Sequence, residues 1–154
     1  MEDNQLGIDV LESFVEEIAA VDQHERSLVI ITTGYIELFL NRIIDKKCKH
    51  GKKRITKNNR DYPLSVKLTL LNEIGLLDNE LFQILDNFRK IRNRAAHEAS
   101  FLINDNEWKY LNKGLDRFIV HESMRKPYDL PNFCKFLMGT IWTENIPVLK
   151  DINL

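Results

Sequence analysis

Glycine, proline and cysteine are all scarce in this chain of 154 residues, which holds six Gly, four Pro and two Cys. So few Gly and Pro exclude a many-turned β fold. The two cysteines, Cys48 and Cys134, make no disulfide framework and suit a reducing cytosol, so a cytoplasmic location is expected. A signal peptide is also missing, because residues 1–25 carry no Lys or Arg. The longest apolar run, Leu28 to Thr33, is far too short to span a bilayer, and no membrane partner is expected. P-loop, dinucleotide and G-x-S-x-G signatures are absent, as are repeats and low-complexity segments. Cys48 and His50 have C-x-H spacing without a second pair, so neither a metal nor another cofactor is expected.

What is present is an ordinary globular composition, 44% hydrophobic and 29% charged. It suits a single domain over residues 1–154 with a real core. Net charge is −1, but it is unevenly spread. Residues 1–25 hold eight acids: Glu2, Asp3, Asp9, Glu12, Glu16, Glu17, Asp22 and Glu25. Residues 46–60 hold eight bases and no acid: Lys46, Lys47, Lys49, Lys52, Lys53, Arg54, Lys57 and Arg60. Such a block is either a solvated loop or a contact for a polyanion.

The apolar pattern is helical throughout. Ile8 to Val21 carries apolar residues at 8, 11, 14, 15, 18 and 19, the stripe of a first helix. Asp22 is placed to cap a second, with Glu25 closing a capping box. Leu28, Ile31, Tyr35, Leu38, Phe39 and Ile43 form that helix, despite the β-branched run Val29 to Thr33. Residues 47–62 have no period and read as a long polar loop. Pro63 opens a third helix that ends near Gly75, and Asp78 caps a fourth. Asp105 is placed to cap a fifth, carrying Trp108, Leu111, Leu115 and Phe118. Pro127 and Pro131 bracket a break. Phe133, Phe136, Leu137, Ile141 and Trp142 then suggest a shorter last helix ended by Pro147, with Trp108 and Trp142 as core anchors. The expected fold is all-α: an up-and-down bundle of four to five main helices with a short C-terminal helical extension.

The fourth helix ends in Arg92-Asn93-Arg94-Ala95-Ala96-His97, an R-N-x-x-x-H segment. Arginine, an amide and histidine are groups that bind phosphate and move a proton at neutral pH. With about 100° per residue, Leu81, Ile84, Leu85, Ile91 and Ala95 lie within roughly 60° of Phe88. Arg92 falls at about 40°, inside that stripe, where a charge must be paired, snorkel or face another chain. Asn93 and His97 share a face, whereas Arg92 and His97 are about 140° apart. A complete site on one straight helix is therefore not expected. As bare residue types, an arginine on a helix and a histidine at its C-terminus are also unremarkable, since the macrodipole favours the latter. His24 and His121 are isolated and read as surface or helix-end residues.

Ile91 to His97 resembles the R-x(4–6)-H motif of the HEPN superfamily, with Asn93 as the polar residue after the arginine. Pro63 to Leu71 and Ile74 to Leu77 resemble the mannitol operon repressor (MltR-like) family, which is related to HEPN proteins. Tyr35 to Leu40 fits that family's second-helix pattern, and the likeness covers roughly residues 22–120. The resemblance implies a bundle that homodimerises through the motif helix and cleaves RNA without a metal. Arg92, Asn93 and His97 are then the catalytic group. Glu37 is, by the resemblance only, an acidic partner for Arg92 or His97; its other reading is a surface ion pair with Arg42 or Lys46. The basic block and Arg94 become RNA contacts, through phosphates rather than bases, because only Tyr62 is placed to stack. A toxin, defence or RNA-processing role would bring RNA and an antitoxin as partners. The alternative is a non-catalytic transcriptional regulator of the repressor type, acting through a regulatory protein partner, since no basic helix-turn-helix reader is visible.

Overall fold

The computed structural model describes residues 3–116 and 129–149. Among them the chain is all-α: α1 (Asp3–Ala19), α2 (Glu25–Lys47), a single π-helical turn (Lys52–Thr56), α3 (Leu64–Glu73), α4 (Asn79–His97), α5 (Asp105–Leu115) and α6 (Leu130–Leu149). Phe118, His121 and Pro127 lie outside the described residues.

α2 is the axis of the bundle, packed against α1, α3, α4, α6 and the π-helical turn. It buries Leu28, Val29, Ile36, Phe39, Leu40, Ile43 and Ile44. Its β-branched run is helical, and the Thr33 hydroxyl within it donates to the Val29 carbonyl at 2.8 Å. By length and composition α2 is apolar enough to cross a membrane, but half of that stretch is buried inside the bundle. The short apolar run Leu28 to Thr33 therefore understates this helix.

α6 departs most from expectation. It is a 20-residue core helix rather than a short extension, and it runs past Pro147. Leu130, Phe133, Cys134, Leu137, Met138 and Ile141 are buried in it. Pro131 lies in its first turn, where a missing N–H costs nothing, instead of marking a break. Phe133 joins three helices: it stacks on Phe88 of α4 and meets Trp108 of α5 edge-on, each with centroids 6.0 Å apart. Each large side chain so buried contributes about 1.5–3 kcal/mol. Both tryptophans pack against the core, as anticipated.

Several helix ends follow the sequence and others do not. Asp78 Oδ1 accepts from the Leu81 amide at 2.8 Å, the expected cap of α4. α3 ends at Gly75, whose φ of 73° is the left-handed conformation that a C-terminal turn needs. The Leu76 amide returns to Leu71 and the Gly75 amide to Asn72, closing a Schellman motif. The N-cap of α5 is Asn104, one residue before Asp105, and Glu107 completes its capping box. Asp22 caps nothing: α2 starts after His24, and the Glu25 carboxylate instead accepts from the Ile103 amide at 2.9 Å.

Candidate functional site at the end of α4

The stripe predicted for α4 is the one buried: Leu81, Ile84, Leu85, Phe88, Ile91 and Ala95. Arg92 sits at its margin, half-buried. Its Nη1 points at Asn93 Oδ1 across a long 3.4 Å contact. Among the described residues no carboxylate lies within ion-pair distance of Arg92. Asn93 and His97 are exposed, and His97 is the last residue of α4. Arg92 and Asn93 are thus brought together, while no hydrogen bond draws His97 to either.

Glu37 is not part of this group. Its carboxylate accepts from Lys67 Nζ at 2.8 Å, and the same ammonium donates to Asn59 Oδ1 at 2.8 Å. Lys67 is fully buried, so α2, α3 and the basic segment meet on one enclosed cation. The partner is therefore a third residue, neither the motif nor the helix-surface bases. Lys67 was legible only as an interruption in the apolar run of α3.

Arg94 is engaged within the chain. Its guanidinium forks onto Glu98 with two bonds of 2.9 Å, bonds Glu107 on α5, and lies 5.5 Å from the Phe101 ring centroid. The bonds it donates to Glu98 and then to Glu107 hold Arg94 firmly in its charged form. The bonds from Arg94 also hold the Glu98 carboxyl below its ordinary value, against the opposing cost of desolvation. Arg26 of α2 completes this end. Its Nη2 donates to the Glu98 and Ala99 carbonyl oxygens at 2.5 and 2.8 Å, filling two acceptors just beyond the helix. Nothing in the sequence pointed to Arg26, which lies 72 residues from Glu98.

The basic block is folded rather than a loose loop. Lys46 and Lys47 close α2, and residues 52–56 form the π-helical turn. That turn docks on the end of α2 through Gly51, where a Cβ would overlap the Ile44 carbonyl oxygen. The Thr56 hydroxyl donates to Asp45 Oδ1 at 2.8 Å, and Ile55 packs against the core. Lys46, Lys47, Lys49, Lys52, Lys53, Arg54, Lys57 and Arg60 all project outward.

Position now matters. Arg26 marks the motif end of α2 and Asp45 marks the docking point of the turn. At 1.5 Å rise per residue they are about 28 Å apart. The turn at residues 52–56 therefore docks at the far end of α2 from Arg26, while Asn59 reaches back through Lys67 to the level of Glu37. No family model, no curated protein and no solved structure matches this chain. Among the described residues no group of His, Cys, Asp and Glu is disposed to hold a metal ion.

Proposed function

We propose that this chain is a HEPN-type RNA-binding protein and a metal-independent endoribonuclease, with a site shared between two copies. One observation carries this reading. Arg92 is half-buried and, among the described residues, without an acidic partner, it touches Asn93, and an exposed histidine lies one helical pitch beyond Asn93. A guanidinium in that state is suited to charge that builds on phosphorane oxygens. One His97 accepts the proton of the ribose 2′-OH, whose oxygen attacks the adjacent phosphorus. The His97 of the second copy protonates the departing 5′-oxygen. The products are a 2′,3′-cyclic phosphate and a 5′-hydroxyl. Two histidines are needed for the two proton transfers, and the motif of one chain holds one, which favours a two-fold site.

The test is incubation of the protein and its His97→Ala variant with structured RNA in EDTA. Cleavage by the wild type alone supports the reading; equal cleavage by both, or none by either, sinks it. Light scattering provides an independent check, since a strict monomer at tens of micromolar contradicts a shared site.

A second reading is a non-catalytic regulator of the mannitol operon repressor type, acting through protein partners. The docking of the basic turn at Asp45, away from the end of α2 where Arg26 holds Glu98, favours it. Capture of a transcription factor or a sugar-transport phosphocarrier by a protein inert on RNA would decide for it.

A further inference from the structure

The spacing between the basic turn and the motif end constrains the ligand. Lys52, Lys53, Arg54, Lys57 and Arg60 are exposed and, among the described residues, form no ion pair. Their backbone is internally bonded. The Gly51 amide donates to Cys48 O and the Arg54 amide to His50 O, both at 2.9 Å, and the Tyr62 amide donates to Asn58 O at 2.9 Å. With Thr56 tied to Asp45 and Asn59 tied to Lys67, the whole segment is held to α2 and α3. Cations on a folded support lose less freedom when they meet a ligand than cations on a free loop.

The chemistry of the patch selects among polyanions. Tyr62 is the single Phe, Tyr or Trp between positions 46 and 62, so there is no series of large aromatic rings for stacking successive unpaired bases. Charge without stacking grips phosphates, whatever the sequence. A nucleic-acid duplex is stiff over tens of base pairs, so one rod reaches two separated points without loss of chain freedom. A single strand bridging the same points must be extended and gains no stacking in return.

We propose that the basic turn is a remote anchor for the phosphate backbone of double-stranded RNA. To engage the turn and the end of α4 that Arg26 holds, the duplex must extend up to about 28 Å along α2. The inference rests on the RNA reading above and adds the form and minimum length of the RNA. It also separates grip from chemistry: the turn supplies affinity, and the end of α4 supplies the reacting groups.

The experiment uses the full chain in EDTA with labelled duplexes of about 6 and about 16 base pairs and a single strand of about 16 nucleotides. Anisotropy reads binding over a range of salt, and a gel reads cleavage of the same samples. The longer duplex is expected to bind at least ~10-fold more tightly than the shorter, and the combined Lys52→Ala, Lys53→Ala, Arg54→Ala variant to lower its log–log salt slope by about 2–3. Circular dichroism checks that the variant folds, and a Lys57→Ala, Arg60→Ala pair repeats the measurement on the same segment if it does not. Equal affinity for both duplex lengths, an unchanged salt slope, or tighter binding of the single strand overturns the anchor. So does a polyglutamate that binds as tightly as the longer duplex. Length-dependent binding without cleavage keeps the anchor and removes the ribonuclease reading; cleavage without length dependence does the reverse.

Discussion

Arg26 and Glu98 are joined across 72 residues by a 2.5 Å hydrogen bond from a guanidinium to a backbone carbonyl. The contact fastens the first turn of α2 to the residue that follows His97. Arg26→Ala should destabilise the protein by about 1–2 kcal/mol, the range for charged hydrogen bonds that are partly exposed. Urea denaturation followed at 222 nm measures it. An unchanged midpoint would show that water replaces the guanidinium without loss.

Lys67 offers a sharper case. Its side chain is fully buried, while that of Glu37 is 33% exposed. Lys67→Ala leaves a cavity and an unpaired carboxylate, and should cost about 2–4 kcal/mol. Glu37→Gln keeps an oxygen that accepts and should cost about 1–2 kcal/mol. Combining Lys67→Met with Glu37→Leu should recover part of the Lys67→Ala loss, because both charges are gone. Full additivity in the double-mutant cycle would contradict the pairing.

Two glycines should respond with opposite signs. A Cβ at Gly51 overlaps the Ile44 carbonyl oxygen, and backbone cannot move aside cheaply, so Gly51→Ala should cost about 1–3 kcal/mol. A Cβ at Gly34, within α2, meets nothing within 4 Å, and Gly34→Ala should stabilise by about 0.5–1 kcal/mol. Thermal melts of the two variants side by side decide the matter. Equal shifts would mean that the basic turn is not docked as described.

Acid should loosen the end of α4 first. The Glu98 carboxyl is held low by its bonds from Arg94. Burial pushes the Asp86 carboxyl up, but its bonds from Lys90 and Arg89, with their charges, together hold it low. A group with a depressed folded pKa contributes stability above its unfolded pKa, and that contribution is lost as pH falls through the folded value. From pH 7 to 5 the helix should be unaffected. Below the ordinary carboxyl value of 4.5 for Glu98, the amide-exchange protection factors of residues 94–98 should fall before those of α6. A uniform fall in both helices would contradict the local role of Glu98.

The most periodic parts of the sequence were the most legible. All six buried positions of α4, the Asp78 cap and the Gly75 terminus could be read from local spacing, because each depends on neighbours three or four residues away. Glu25 was misread because a capping glutamate and one that reaches Ile103 look alike until the chain is folded. α6 was read too short because apolar residues occur on most of its faces, which blurs a stripe. The turn at residues 52–56 has no period to detect, since one helical turn is too short to repeat. At the site, the isolation of Arg92 from His97 was legible from helical geometry. The capture of Arg94 by Glu107 and of Glu37 by Lys67 was not, because both bonds cross between elements.

The packing of α2 has a bearing on how the protein is made. Its principal neighbour is α6, about a hundred residues later in the chain. During synthesis α2 emerges early, long and apolar enough to pass for a membrane segment, and its partner emerges late. For that interval an oily face stands open to the ribosome surface, to chaperones and to other nascent chains. Ribosomes stalled before residue 130 should therefore hold a chain that binds a holdase chaperone, and release from it should coincide with the emergence of α6.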